Sequence, residues 1–243
     1  MADSAKNRLI VALDVETARE AFNLFCALRD VAGMFKIGSQ LFTAEGPGIV
    51  RDIVHGGGRV FLDLKFHDIP NTVAAAGAEA ARLGVSIFNV HASGGGEMMR
   101  RTVDAVNEVT AREGVMRPHI IGVTVLTSAD DSTLVATGCS SKTEEQVERL
   151  ARLSEASGLD GVVASPHEVK LVREAVSQSS FIIVTPGVRP AGVVHDDQRR
   201  VMTPAEAIRA GADYLVIGRA ILKATDPART ASEIIEEMRQ AES

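Results

Sequence analysis

Short apolar runs alternate along the chain with longer segments that read as helices. The apolar runs fall at residues 8–15 (RLIVALDV), 34–38 (MFKIG), 59–65 (RVFLDLK), 86–92 (SIFNVHA), 119–126 (HIIGVTVL), 161–165 (GVVAS), 181–185 (FIIVT) and 214–218 (YLVIG). They are too continuously apolar for strands with one wet face, so both faces must be covered. Strands that alternate with helices imply a parallel sheet. Eight such units in 243 residues point to a closed (β/α)8 barrel, one domain over residues 1–243. An open doubly wound sheet is the alternative architecture. It loses ground because the first turn, LDVETA, lacks the G-x-G-x-x-G dinucleotide fingerprint.

The punctuation between the runs agrees. Thr17 can cap a helix running to about residue 29, with Glu20 in the capping-box position. A helix is expected over 41–54, with an awkward Gly-Pro-Gly around Pro47. Gly56 to Gly58 precede a strand rather than a helix, which favours a turn over a phosphate cradle. An alanine-rich helix over 71–83 stops at Gly84. Further helices are expected from the Gly94–Gly96 turn to about 112, over 142–157, after Pro166, after Pro204 and over 226–240. Residues 186–200 read as a long polar loop.

Composition narrows the function classes. With 45% apolar and 24% charged residues, the chain can bury a full core. A formal net charge of −6 argues against sequence-blind nucleic-acid binding, and one tyrosine with no tryptophan argues against an aromatic base-stacking platform. No apolar run is long enough to span a membrane, and the opening MADSAKNR lacks the apolar core of a signal peptide. Cys26 and Cys139 lie apart without metal-type spacing, as in a cytoplasmic protein with reduced thiols.

The candidate chemistry centres on RVFLDLKFHDIPNTV at residues 59–73. Strand alternation predicts that Asp63 and Lys65 share a face. Asp68 follows just past the strand, so two carboxylates and one ammonium occupy six residues. Burying three charges together is unfavourable unless each is partnered, and such clusters gather where there is chemistry. The bland alternative is a solvated turn with an ordinary ion pair. The polar exceptions in the other runs also fall at strand C-terminal ends, where such barrels build active sites. Asp14 ends the first run, Lys36 lies in the second, Thr127 and Ser128 follow the fifth, and few charges fall at the N-terminal ends. Pro186, Gly187, Arg189 and Gln198 follow the seventh run, with Gly218 and Arg219 after the eighth. Those two loops suit a phosphate, held by backbone N–H groups and a bidentate arginine. His67, on a neighbouring pleat position, is expected to point away, and His91 suits a structural hydrogen bond as well as a chemical one. No Ser-His-Asp order, Cys-His pair or zinc-ligand spacing is present. Asp130–Asp131 and Asp196–Asp197 read as solvated loop charges.

DLKFHDIPNT resembles the D-x-K-x-x-D-I-P signature of the orotidine 5′-phosphate decarboxylase family. The likeness continues, in the expected order, through ALD at Asp14, FKIG at Lys36, LTS at Thr127, TPGVR at Arg189, DQ at Gln198 and IGR at Arg219. The resemblance implies decarboxylation of orotidine 5′-monophosphate (OMP) to UMP with no metal or organic cofactor. It implies Lys65 as proton donor to C6, Asp63 beside the leaving carboxylate, and Lys36 linking Asp63 to a ribose whose hydroxyls Asp14 holds. It further implies a homodimer with shared sites, in which Asp68, Ile69 and Thr72 reach the partner's site. Thr127 and Ser128 would meet the base, and Gln198, Arg189, Gly218 and Arg219 the phosphate. The nearest rivals are the Mg²⁺-dependent hexulose-6-phosphate synthase and ketogulonate-6-phosphate decarboxylase. Those carry a glutamate on the second strand where this chain has Lys36. A Schiff-base aldolase would need a neutral Lys65, which Asp63 opposes. A non-catalytic nucleotide-binding barrel remains the reading from another class.

Overall fold

The computed structural model describes residues 4–140, 142–190 and 202–241. Eight parallel strands close into a barrel in sequence order: β1 Leu9–Ala12, β2 Met34–Gly38, β3 Val60–Phe66, β4 Ile87–His91, β5 His119–Val123, β6 Gly161–Val163, β7 Ile182–Pro186 and β8 Tyr214–Ile217. Closure is made by β8 against β1, with Leu9 opposite Leu215 and Val11 opposite Ile217. The open doubly wound alternative is thereby excluded.

Strand alternation sorts the apolar residues into two layers. Ile10, Ala12, Met34, Phe61, Ile87, Ile121, Val184 and Val216 fill the barrel interior. Leu9, Val11, Phe35, Ile37, Val60, Leu62, Phe88 and Ile120 face outward and pack under the helices. Phe25 of the helix Ala18–Leu28 meets Phe35 edge-on, with ring centroids 5.1 Å apart. Two buried layers explain why the runs lack a polar period.

Helix starts follow the residues that cap them. The Thr17 hydroxyl accepts from the Glu20 N–H, and Thr203 with Glu206 forms a complete capping box ahead of Pro204–Ala210. Pro70 opens Pro70–Arg82, and Pro166 opens a single 3₁₀ turn before Val169–Ala175. The helix expected over 41–54 is two helices, Ser39–Glu45 and Gly48–His55, because Gly46 at φ +67° and Pro47 break the ladder. Three short helices escape the pattern: Ser4–Arg8, Asp131–Ala136 and Arg219–Leu222. Asp130 is a cap rather than a mere solvated charge, accepting from the Thr133 N–H, while Asp131 accepts from Thr143. Asp196 and Asp197 lie outside the described residues.

The N-terminal end of the barrel is more charged than the sequence suggests. Arg8 donates to the carbonyls of Ala212 and Asp213, and Arg173 donates to those of Phe181 and Gly211 and pairs with Asp213. Asp160 pairs with Arg117 and accepts from the Ile120 N–H. These groups satisfy backbone atoms where the strands begin. A cleft of about 500 Å³ lined by Arg8, Arg173 and Gln178 opens on this face. Its arginines serve the strand ends, so this face holds the barrel together.

Candidate active site

Two residues on from the interior layer, the inward positions of β1 to β4 turn polar. Lys36 follows Met34 on β2, Asp63 follows Phe61 on β3, Asn89 follows Ile87 on β4, and Asp14 follows Ala12 past the end of β1. The charged members, with Lys65, form a row of alternating charge at the C-terminal mouth. Lys36 Nζ lies 2.9 Å from Asp14 Oδ1 and 3.5 Å from Asp63 Oδ2, and Lys65 Nζ lies 2.6 Å from Asp63 Oδ1. Asp63 and Lys36 form the buried centre of the row, with side chains 14% and 11% exposed. Asp14 and Lys65 are its open ends at 54% and 34%.

Burial pushes the Asp63 carboxyl up. The Lys36 and Lys65 ammoniums, with hydrogen bonds from Lys65 and Asn89, outweigh it and hold the group below the usual carboxylate range. The row can therefore present an ammonium at its open end with an ionised carboxylate at its side.

Lys65 does not arrive by simple pleating. The β3–β4 register shifts between Leu62 and Phe66, and Lys65 has φ +52°, the only positive φ on a non-glycine among the described residues. Asp63 and Lys65 do meet on one face, as expected, with the ammonium on Asp63 Oδ1, but the strand between them is irregular rather than evenly pleated. Asn89 was missed by sequence reasoning. It is fully buried, donates to Asp63 Oδ1 at 2.7 Å and accepts from the Lys65 N–H at 2.8 Å. Its one signal was a polar residue at an inward position of an apolar run.

Asp68 is not part of the buried cluster. It is exposed, and its Oδ1 accepts from the Ile69 N–H at 2.6 Å. Ile69 is 66% exposed, and Thr72 is exposed on the next turn. Thr127 and Ser128 lie exposed in a turn after β5. Pro186 ends β7, Gly187 adopts φ +80°, and the Arg189 N–H bonds the Met202 carbonyl at 3.2 Å. Gln198 lies outside the described residues. Gly218 caps Arg219–Leu222 beside Asp14. A Cβ there would stand 3.2 Å from Ala12 Cβ and 3.4 Å from Asp14 Oδ2, so bare backbone faces the row. His67 does not point away. Its ring packs on His91 with centroids 5.3 Å apart, and burial, His67 and Lys65 push His91 below the usual imidazole range against the pull of Asp63.

The orotidine 5′-phosphate decarboxylase / HUMPS family model matches residues 7–234. The chain belongs to that family. It is 55% identical over 236 residues to the orotidine 5′-phosphate decarboxylase of Geobacter sulfurreducens, covering 97% of this chain and 98% of that one. It is 53% identical to the enzyme of the same name from Syntrophotalea carbinolica, with 98% and 97% covered. Among solved structures, orotidine 5′-phosphate decarboxylase from Lactobacillus acidophilus superposes with a TM-score of 0.84 at 36% identity, covering 95% and 98%. An uncharacterized conserved protein from Geobacillus kaustophilus gives 0.81 at 40%, covering 95% and 99%. In this family member the alternating row joins Asp63 and Lys65 of the signature to ALD at Asp14 and FKIG at Lys36, with Gly218 of IGR beside Asp14.

Proposed function

We propose that this protein decarboxylates OMP to UMP in pyrimidine biosynthesis, with Lys65 as the proton donor. The observation that carries the reading is the Asp14–Lys36–Asp63–Lys65 row, which sets a charged ammonium beside an ionised carboxylate. In the reaction the bond from C6 to the carboxylate breaks, its electron pair stays on C6, and CO₂ leaves. The ring offers that pair no electron sink. The Lys65 ammonium stabilises the developing charge and then transfers its proton to C6. Lys65 afterwards regains a proton from solvent. Asp63 holds the Lys65 ammonium in place and stands beside the substrate carboxylate, while Lys36 and Asp14 hold the ribose. Thr127 and Ser128 meet the base. Pro186, Arg189, Gln198, Gly218 and Arg219 hold the phosphate. The scheme calls for no metal or organic cofactor.

The Mg²⁺-dependent relatives in the superfamily are not favoured, because Lys36 sits 3.5 Å from Asp63 where a cation would have to bind. Loss of absorbance in the orotate band on mixing OMP with the protein tests the reading. Turnover should survive EDTA, and an EDTA-sensitive reaction on a sugar phosphate would overturn it. Among the described residues, no helix is long and apolar enough to cross a membrane, and we place the enzyme in the cytoplasm with its nucleotide substrate. We also propose a homodimer in which Asp68, Ile69 and Thr72 complete the partner's site. Their exposure in one chain supports this.

Phosphate contacts are remote from C6, so they act through binding energy rather than on the carbanion. Arg189→Ala should lower kcat/KM for OMP by about tenfold or more, since a charge-assisted contact contributes on the order of 2 kcal/mol. Turnover of orotidine, which lacks the phosphate, should hardly change. Phosphite dianion should accelerate orotidine turnover in the parent and much less in the variant. Equal losses on both substrates would show that Arg189 serves the fold or the chemistry.

A further inference from the structure

We propose that Asn89 is a positioning residue, whose carboxamide replaces a missing rung of the β3–β4 ladder at the Lys65 N–H and grips the Asp63 carboxylate, and so holds both residues in working geometry. The inference rests on the reading of the Lys65 site given above. Phe61 pairs with Ile87 and Leu62 with Phe88, but the next registered pair is Phe66 with Val90. Three residues of β3, Asp63 to Lys65, thus stand against the single residue Asn89 of β4. A mismatch of this kind bends the strand and leaves its backbone groups without ladder partners.

The asparagine side chain is an amide, with one carbonyl acceptor and an NH₂ donor, like the peptide group it stands in for. Its Oδ1 accepts from the Lys65 N–H at 2.8 Å, and its Nδ2 donates to Asp63 Oδ1 at 2.7 Å. The first bond fixes a backbone that is unfavourable for a residue with a side chain. Lys65 at φ +52° persists only if its surroundings hold it there. The second bond fixes the carboxylate. Asp63 Oδ1 receives both Asn89 and the Lys65 ammonium, and Oδ2 faces Lys36, so the carboxylate cannot turn without losing the Asn89 bond. Asn89 is fully buried beneath Asp63 and Lys65. It acts through them.

The test compares the parent with Asn89→Leu and Asn89→Asp, measuring kcat and KM on OMP, the pH profile of kcat, the Kd for UMP and the fraction of active sites. Leucine has the right size and neither bond. It should lower kcat by about a hundredfold, from two lost bonds to buried groups, and move the UMP Kd by less than about threefold. Aspartate keeps the acceptor for the Lys65 N–H but brings a second carboxylate against Asp63. The two must then share a proton, and the acid limb of kcat should move up by at least about one pH unit. A role confined to folding would reduce the fraction of active sites and leave kcat per site and the acid limb unchanged. That result overturns the proposal, as would an Asn89→Asp enzyme with the parent's acid limb and a kcat within about threefold. If Asn89→Leu fails to fold, the Asn89→Asp profile decides alone. A parent that does not turn over OMP would overturn the functional reading, and this inference with it.

Discussion

Lys65→Ala should abolish decarboxylation of OMP while leaving UMP bound at nearly the parent's affinity. On the proposed mechanism two contributions vanish together: the ammonium that stabilises the C6 carbanion, and the proton that ends it. Either alone is commonly worth about a hundredfold or more, so the combined loss should reach at least about 10⁴-fold. Lys36 cannot take over, because it is engaged by Asp14 and Asp63 on the far side of the carboxylate. UMP carries no group at C6 beyond hydrogen, so the variant should still bind it. A steady-state kcat together with calorimetric titration by UMP measures both quantities. Residual turnover within about tenfold of the parent would remove Lys65 from the mechanism.

Mixing two dead chains should restore activity. Lys65→Ala and Asp68→Ala are each expected to inactivate the proposed homodimer, the first by losing the proposed proton donor and the second by depriving the partner's site of its carboxylate. In a mixed dimer one site receives both defects and the other neither. Random exchange of equal amounts makes half the dimers mixed, each with one good site of two, so about a quarter of parent activity should return. The position of Asp68 makes the test sharp. It lies exposed past the strand end and outside the buried row of its own chain. No recovery after verified subunit exchange would mean that each chain builds its site alone.

The barrel was legible because its two apolar layers leave the strands without a polar period, and capping residues mark the helix starts. Thr17, Pro70 and Thr203 stand where local rules place them. The strongest members of the site were legible for the same reason: a lysine in MFKIG or an aspartate in VFLDLK has no place in an apolar run without a partner. Alternation placed Lys65 with Asp63 but not the irregularity at Lys65, because a register shift depends on two strands, and neither strand's own sequence contains it. Asn89 escaped for a related reason. An uncharged amide in SIFNVHA raises no electrostatic alarm, and its importance appears only when the gap opposite it is seen. Asp68 looked like a third buried charge because it is near in sequence, yet the turn carries it to the surface. The helix Asp131–Ala136 buries no side chain, so no apolar period could announce it.

The closure of β8 onto β1 sets the order in which this enzyme can come into being. β1 is made first, yet its second neighbour, Tyr214–Ile217, leaves the ribosome about 200 residues later. At about 5–20 residues per second that is an interval on the order of 10 to 40 s. Through it one edge of β1 has no strand to pair with, and such edges invite association between nascent chains. Asp14 follows β1 and Gly218 follows β8, so the same seam brings the proposed ribose and phosphate ends of the site together. A chain stopped short of β8 would carry Lys65 and Asp63 and still lack Gly218 and Arg219 from the proposed phosphate end.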